Sequence, residues 1–185
     1  MRDIIVLCGF SCVGKDTVAR QLEERGYHFV VSTTTRPMRE GESEGNPYRF
    51  TDNRTFELMI QNKDFIEYRK YNTLVKGVRE TWYYGVEKRE VEPGKNVVVL
   101  DIDGLIAFKK YFGNRILSFF MLAPLDIRES RCKKRGGYDE KEWMRRLKDD
   151  LKRFPIEKIK KHIDVVIPFS MNDDTLKFIT NIPLL

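Results

Sequence analysis

The sequence predicts an α/β fold, with a parallel core sheet flanked by helices. Three observations predict it. An apolar run, Ile4-Ile5-Val6-Leu7, leads into a glycine-bearing loop and then a helix-patterned segment at 17–25. A second apolar stretch at 28–31 follows, giving the strand, loop, helix, strand order of a βαβ unit. Further apolar runs at 96–102, 116–122 and 163–167 alternate with amphipathic segments.

The elements follow in order. Residues 3–8 read as a fully buried strand and 9–15 as a loop. Residues 17–25 read as a helix that Gly26 ends, and 28–31 as a second strand. Residues 32–47 are polar and rich in Arg, Gly and Glu, too irregular for core. Residues 48–51 suggest a short strand. A helix starting near Asn53 puts Phe56, Met59 and Ile60 on one face, and 65–68 alternates like a strand. Residues 73–81 read as a hairpin excursion, followed by Trp82-Tyr83-Tyr84-Gly85-Val86. Residues 96–102 return to the core, a helix beginning near Leu105 ends at Gly113, and 116–122 is another buried strand. Residues 126–134 form a helix broken by Gly136-Gly137. Trp143, Leu147, Leu151 and Phe154 make the apolar stripe of a charged amphipathic helix. Residues 163–167 give the last strand and 175–179 the last helix. The segments divide as core 1–31, an inserted domain 32–91, core 92–134, a helical lid 135–154 and core 155–185.

Composition bounds the function classes. The chain has 185 residues, 41% hydrophobic and 34% charged, enough for one α/β core with small insertions. No apolar run approaches the roughly 18 residues of a membrane span, and residues 1–8 lack the pattern of a secretory signal. With 34 Lys and Arg against 28 Asp and Glu, the net charge is +6, which suits phosphorylated ligands, nucleic acid or acidic membrane. Cys8, Cys12 and Cys132 have neither zinc-site nor disulfide-framework spacing, which suits a reducing cytoplasm. Cys12 lies in the glycine loop near Lys15 and a helix start, where it reads as loop filler ahead of a redox-regulatory thiol.

The first chemical motif is Gly9-Phe10-Ser11-Cys12-Val13-Gly14-Lys15-Asp16-Thr17. It matches the phosphate loop G-x-x-x-x-G-K-[ST] at both glycines and the lysine, with Asp16 in place of Ser or Thr. Backbone N–H groups of such a loop wrap a β-phosphate, and the helix behind it adds a favourable dipole. Lys15 is placed to follow charge during phosphoryl transfer. Asp16 either holds Mg²⁺, directly or through water, or caps the helix and turns outward. Thr17 can still donate to a phosphate oxygen.

The second is Thr33-Thr34-Thr35-Arg36-Pro37-Met38-Arg39, two arginines suited to one monophosphate, with Tyr48 and Tyr84 as further donors. Glu67 is a carboxylate able to accept from the adjacent N1 and N2 donors of guanine. Asp101 and Asp103 close an apolar strand, and strand alternation puts them on one side at the carboxyl edge of the sheet. An N-cap role fits Asp103 better than Asp101. Arg131, Arg135, Arg145 and Arg146 flank the Gly136-Gly137 break and suit a basic lid that excludes water.

In this order the motifs resemble the guanylate kinase family: the phosphate loop, Ser32 through Glu42, Tyr48-Arg49-Phe50, Phe65-Ile66-Glu67, Trp82-Tyr83-Tyr84-Gly85 and Leu100-Asp101-Ile102-Asp103. The resemblance implies a P-loop kinase fold with a core, a nucleotide-acceptor domain and a lid. It implies ATP and Mg²⁺-dependent phosphoryl transfer to GMP or dGMP, giving ADP and GDP or dGDP. Gly9, Ser11, Cys12, Val13, Gly14, Lys15, Asp16 and Thr17 are the implied ATP-phosphate set. Ser32, Arg36, Arg39, Tyr48, Glu67, Tyr84 and Asp103 are the implied GMP set. Lys15, Arg36, Asp101, Arg135 and Arg146 are the implied catalytic set, and Asp16 and Asp101 approach the metal through water. The implied setting is a cytoplasmic monomer or homodimer with neither membrane nor nucleic-acid partners.

The chain departs from the family pattern at Asp16, at Val86 (where the family has Ser or Thr touching guanine), in an insertion at 69–81, and after Asp103. Pro168 stands where the adenine-side Asn is expected, with Asn172-Asp173-Asp174 following later. These departures keep two other readings open: a nucleoside monophosphate kinase of different or broader base preference, and a non-catalytic phosphopeptide-binding module of related fold. The retained Lys15, Arg36, Arg39, Glu67 and Asp101 favour the enzyme.

Overall fold

The computed structural model describes residues 2–39, 41–75, 78–134, 138–169 and 175–181. The chain divides into two units, Met1–Phe29 with Gly94–Leu185, and Val30–Pro93.

The first unit holds β1 (Ile4–Gly9), α1 (Lys15–Glu23) and β2 (His28–Phe29). The second unit then supplies β3 (Ser32–Thr34), β4 (Ser43–Glu44), β5 (Pro47–Phe50), α2 (Asn53–Gln61), β6 (Phe65–Val75) and β7 (Val78–Glu87). The chain returns to the first with β8 (Asn96–Val99), α3 (Ile102–Phe112), β9 (Ile116–Met121), α4 (Leu125–Lys134), α5 (Glu140–Arg153), α6 (Ile156–His162), β10 (Val165–Ile167) and α7 (Thr175–Asn181).

The sheet of the first unit runs β10-β9-β1-β8-β2, and every pairing is parallel. β1 is central and its residues Ile4 to Cys8 are fully buried, as expected of a parallel strand covered on both faces. Ile5 and Leu7 pack with Val18, Ala19 and Leu22 of α1 and Leu176 and Ile179 of α7. Alternation sends Ile4 and Val6 to the opposite face, where α3 buries Leu105 and Phe108 against β1 and β9. Among the described residues, no helix is long and apolar enough to cross a membrane.

The second unit is a sheet of order β4-β5-β3-β7-β6. β3 pairs parallel with β5 and antiparallel with β7, and β6 and β7 form a long hairpin. Asp52 caps α2 by accepting from the Thr55 N–H at 2.9 Å. The helix lays Phe56 on one sheet face, stacked on Phe65 at 4.4 Å and Tyr83 at 5.1 Å. The excursion expected at 73–81 includes the paired far end of this hairpin, from Thr73 with Glu80 to Val75 with Val78, so β6 runs well beyond the four residues whose alternation announced it.

One expected pattern is revised. The stripe Trp143, Leu147, Leu151, Phe154 does not become the buried face of α5. Trp143 and Phe154 are buried, but Leu151 is 71% exposed and Asp150 takes the inward position. The charge is tolerated there because its partners are supplied by the loop and helix opposite.

Candidate active site

The phosphate loop leaves the carboxyl end of β1. At Gly9, φ is 152°, and a Cβ would stand 2.7 Å from the Met121 carbonyl oxygen, so strand packing and backbone both demand glycine. Gly14 caps α1 with φ 105°, and Cys12 adopts φ 60°. Asp16 therefore does not cap α1: glycine holds that position, and Asp16 lies in the first turn. Thr17 is exposed beside it.

Lys15 folds back over the loop. Its Nζ donates to the carbonyls of Gly9 at 2.8 Å and Phe10 at 3.0 Å. Desolvation lowers its pKa, an effect opposed by the Asp16 and Asp150 charges. Cys8, beneath the loop, has its thiol pushed up by burial.

Two residues that sequence reasoning passed over hold this loop from outside. Asp150 of α5 accepts from the Ser11 N–H at 2.9 Å and from the Ser11 hydroxyl at 2.9 Å. Arg128 of α4 donates to the Ser11 carbonyl at 2.8 Å and to Asp150 at 2.5 Å. Both side chains are buried, and the Arg128 guanidinium lies 4.9 Å from the Phe10 ring and 5.7 Å from Trp143. Burial lowers the pKa of Arg128, opposed by Asp150. Each residue looked like one more charge on a solvated helix. The available signal was the position of Asp150, seven residues after Trp143 and four before Phe154, on the apolar face.

Arg131 reaches the loop as well, donating to the Val13 carbonyl at 2.6 Å. Arg146 lies one turn before Asp150 on α5 and donates to Glu142 at 3.0 Å. Arg145 pairs with Glu142 and Asp149. Arg135, with Gly136 and Gly137, lies outside the described residues, as do Asn172, Asp173 and Asp174.

The strand alternation expected to align the two aspartates does not reach them, because β8 stops at Val99. Asp101 is instead the N-cap of α3, accepting from the Gly104 N–H at 2.8 Å, and Asp103 lies in the first helical turn. The cap role thus falls to Asp101, the reverse of the expectation. Asp101 remains at the carboxyl edge of the sheet, two residues beyond the end of β8, the strand next to β1, where the Leu100 N–H donates to the Leu7 carbonyl. Asp103 is half exposed and pairs with Lys158 at 2.7 Å.

The second unit gathers its candidates on one sheet face. Directly paired residues share a face, so the registers Tyr48–Ser32 and Glu67–Val86 place those side chains with Tyr84, two residues from Val86. The Tyr48 and Tyr84 rings are 5.6 Å apart. The threonine run is held by β7: Thr34 Oγ1 donates to the Tyr83 carbonyl at 2.8 Å, and Thr35 Oγ1 accepts from the Tyr83 N–H at 3.0 Å. That fixes the start of the Arg36 backbone. Arg36 is buried, 5.4 Å from the Tyr48 ring, with Nη2 on both oxygens of Glu42 at 2.8 and 2.9 Å. Glu42 also accepts from the Arg39 N–H at 2.9 Å, whereas the Arg39 side chain is exposed. Glu67 is buried, and Val86 beside it is fully buried and offers no hydrogen bond.

Comparison with known proteins agrees along the length of the chain. A family model described as Guanylate kinase matches residues 1–181. The guanylate kinase of Fusobacterium nucleatum is 36% identical over 160 residues, covering 83% of this chain and 82% of that protein. That of Clostridium tetani is 36% identical over 155 residues, covering 80% and 71%. The crystal structure of guanylate kinase from Anaplasma phagocytophilum superposes with TM-score 0.69 at 26% identity, covering 97% of this chain and 82% of that one. A gluconokinase from Sinorhizobium meliloti, at 13% identity and TM-score 0.52, shares the fold alone.

Proposed function

Because the chain belongs to the guanylate kinase family, we propose that it transfers the γ-phosphoryl group of ATP to GMP, giving ADP and GDP. The observation that supports this most is the pairing of a complete glycine-lysine phosphate loop with a separate face bearing Arg36, Tyr48, Tyr84 and Glu67. One is built for a triphosphate, the other for a monophosphate ester carrying guanine.

The loop N–H groups from Cys12 to Thr17 hold the donor phosphates, and the α1 N-terminus favours their charge. Lys15 exchanges its two carbonyl partners for β- and γ-oxygens and moves with the charge as the bond to the leaving oxygen breaks. Arg36 and Arg39 hold the acceptor phosphate with the Tyr48 and Tyr84 hydroxyls. This leaves one phosphate oxygen to attack in line, and no protein nucleophile is needed. Glu67, with Ser32, selects guanine. Arg131, Arg135 and Arg146 neutralise charge on the transferring group.

Asp16 and Asp101 are hard oxygen donors, which fits Mg²⁺ held largely by phosphates and water. When bound, the ion neutralises charge on the β- and γ-phosphates. Asp16, in the first turn of α1, suits contact through water, since a bare carboxylate there repels triphosphate.

The second reading is a nucleoside monophosphate kinase of broader base choice, favoured by Val86, which cannot hydrogen-bond a base. ADP formation with Mg-ATP and GMP, dGMP, AMP, CMP, UMP or dTMP separates the readings. Turnover confined to guanine nucleotides supports the first. Comparable turnover with another base supports the second. Phosphopeptide binding without turnover would replace both with a binding module.

A further inference from the structure

Resting on the guanine reading above, we propose that Arg69 is a base-specificity residue that hydrogen-bonds the O6 and N7 edge of the acceptor base. Glu67, Arg69 and Tyr71 alternate along β6 and so project from the same face. The β7 residues paired with them are Val86, Tyr84 and Trp82. Arg69 therefore stands directly across from Tyr84 and one step along from Glu67, inside the candidate acceptor surface. The Tyr71 and Tyr84 rings, 5.3 Å apart, close the far side of this row.

The charges complement guanine. Its N1 and N2 donors are adjacent to its O6 and N7 acceptors, so a reader needs a carboxylate beside a planar cation. Glu67 supplies the first and Arg69 the second, since a guanidinium matches O6 and N7 with two N–H groups. Val86, in the row of Glu67, contributes no donor, so Arg69 is the neighbouring side chain on β6 able to serve the acceptor edge.

The competing role for Arg69 is neutralising Glu67. The geometry favours more than that. Arg69 Nη1 is 3.5 Å from Glu67 Oε2, an ion pair but longer than a well-formed hydrogen bond. The same Nη1 donates to the Tyr68 carbonyl at 2.7 Å, which ties the guanidinium to the β6 backbone next to the carboxylate. The pair is largely shielded, with side chains 26% and 7% exposed, so contacts made there discriminate more strongly than they would in water.

The test uses acceptor analogues that delete one base atom each. 7-Deaza-GMP lacks N7, 6-thio-GMP replaces O6 with a weak acceptor, and IMP lacks the N2 amino group. Wild type should prefer GMP over the first two by about tenfold in kcat/KM, the order expected for half or more of a bidentate contact. Arg69→Met should bring both ratios towards one and leave the GMP to IMP ratio in place. Glu67→Gln should do the opposite, collapsing the GMP to IMP ratio alone. If Arg69→Met leaves all ratios unchanged, or lowers turnover of every analogue equally, Arg69 positions the pocket and does not read the base. If wild type instead prefers AMP, CMP or UMP to GMP, the guanine reading itself fails, and that result is separate from any effect of Arg69. Circular dichroism and melting of Arg69→Met and Arg69→Lys confirm that the fold is being compared like for like.

Discussion

Replacing Asp150 with alanine tests how the phosphate loop is held. Asp150 accepts three hydrogen bonds, two from Ser11 and one from Arg128, and both members of the ion pair are 8% exposed. Removing the carboxylate strands a buried cation, which costs about 3–5 kcal/mol. Against a total stability of about 5–15 kcal/mol, that is a large fraction. For a chain of this size it lowers Tm by about 6–20 °C. Asp150→Asn should fall between, since an amide oxygen still accepts from Ser11 but cannot balance Arg128. The double change Arg128→Met with Asp150→Leu removes both charges and should recover most of the lost Tm, because apolar replacement of a buried pair is often neutral. It should not recover function. Ser11 stays untied, so KM for ATP should remain raised in the double variant while KM for GMP changes little. Thermal melts and initial-rate kinetics give both readouts. A loss under about 2 °C in Asp150→Ala would refute the buried-charge argument. A double variant with wild-type KM for ATP would refute the anchoring of the loop.

Other expectations follow from the same geometry. Lys15→Ala should lower kcat by orders of magnitude with little change in Tm, because the Gly9 and Phe10 carbonyls it binds can be hydrated instead; single-turnover rates check this. Gly9→Ala should destabilise by about 1–3 kcal/mol or more, since φ 152° and the Met121 carbonyl both oppose a Cβ; urea melts measure it. Hydrogen bonding from Arg145, with Arg146 adding to it, holds the Glu142 carboxyl down at about 2. Its folded value lies below the unfolded value of about 4.3, so its contribution is present above that pH and is lost as pH falls towards 2. The Tm difference between wild type and Glu142→Gln should accordingly shrink from pH 6 to pH 3, and it should be small throughout, because exposed pairs contribute about 1 kcal/mol or less.

The sequence made the strands and the glycine loop plain, because buried parallel strands and tight turns each restrict residue type. β1 is continuous Ile-Ile-Val-Leu, and the turn at Gly9 admits no side chain. Asp101 and Asp103 were misread because alternation holds only while a strand lasts, and the chain turns into α3 immediately after Leu100. Arg128 and Asp150 were invisible for a different reason. Their charges neutralise each other across 22 positions and both hydrogen-bond to Ser11, 117 and 139 positions away, and a one-dimensional pattern of charges on a helix does not distinguish a neutralised pair from a wetted face. Arg69 was similarly hidden inside an insertion. Its place beside Glu67 requires β6 to continue past Tyr68, and its place opposite Tyr84 depends on the register of the hairpin, which the sequence around residues 73–81 does not specify.

The attachment of Asp150 also makes α5 a lever. A rise of about 1.5 Å per residue puts Arg146 about 6 Å from that fulcrum and Glu140 about 15 Å from it. Any swing of the helix that keeps the Ser11 contacts is a rotation about its carboxyl-terminal end. A rotation of about 20° then carries Arg146 by about 2 Å, enough to make or break one hydrogen bond, while the tip travels about 5 Å. Such a swing would keep the loop tied but would have to carry Trp143, buried beside Arg128 and about 10 Å from the same fulcrum, out of its packing.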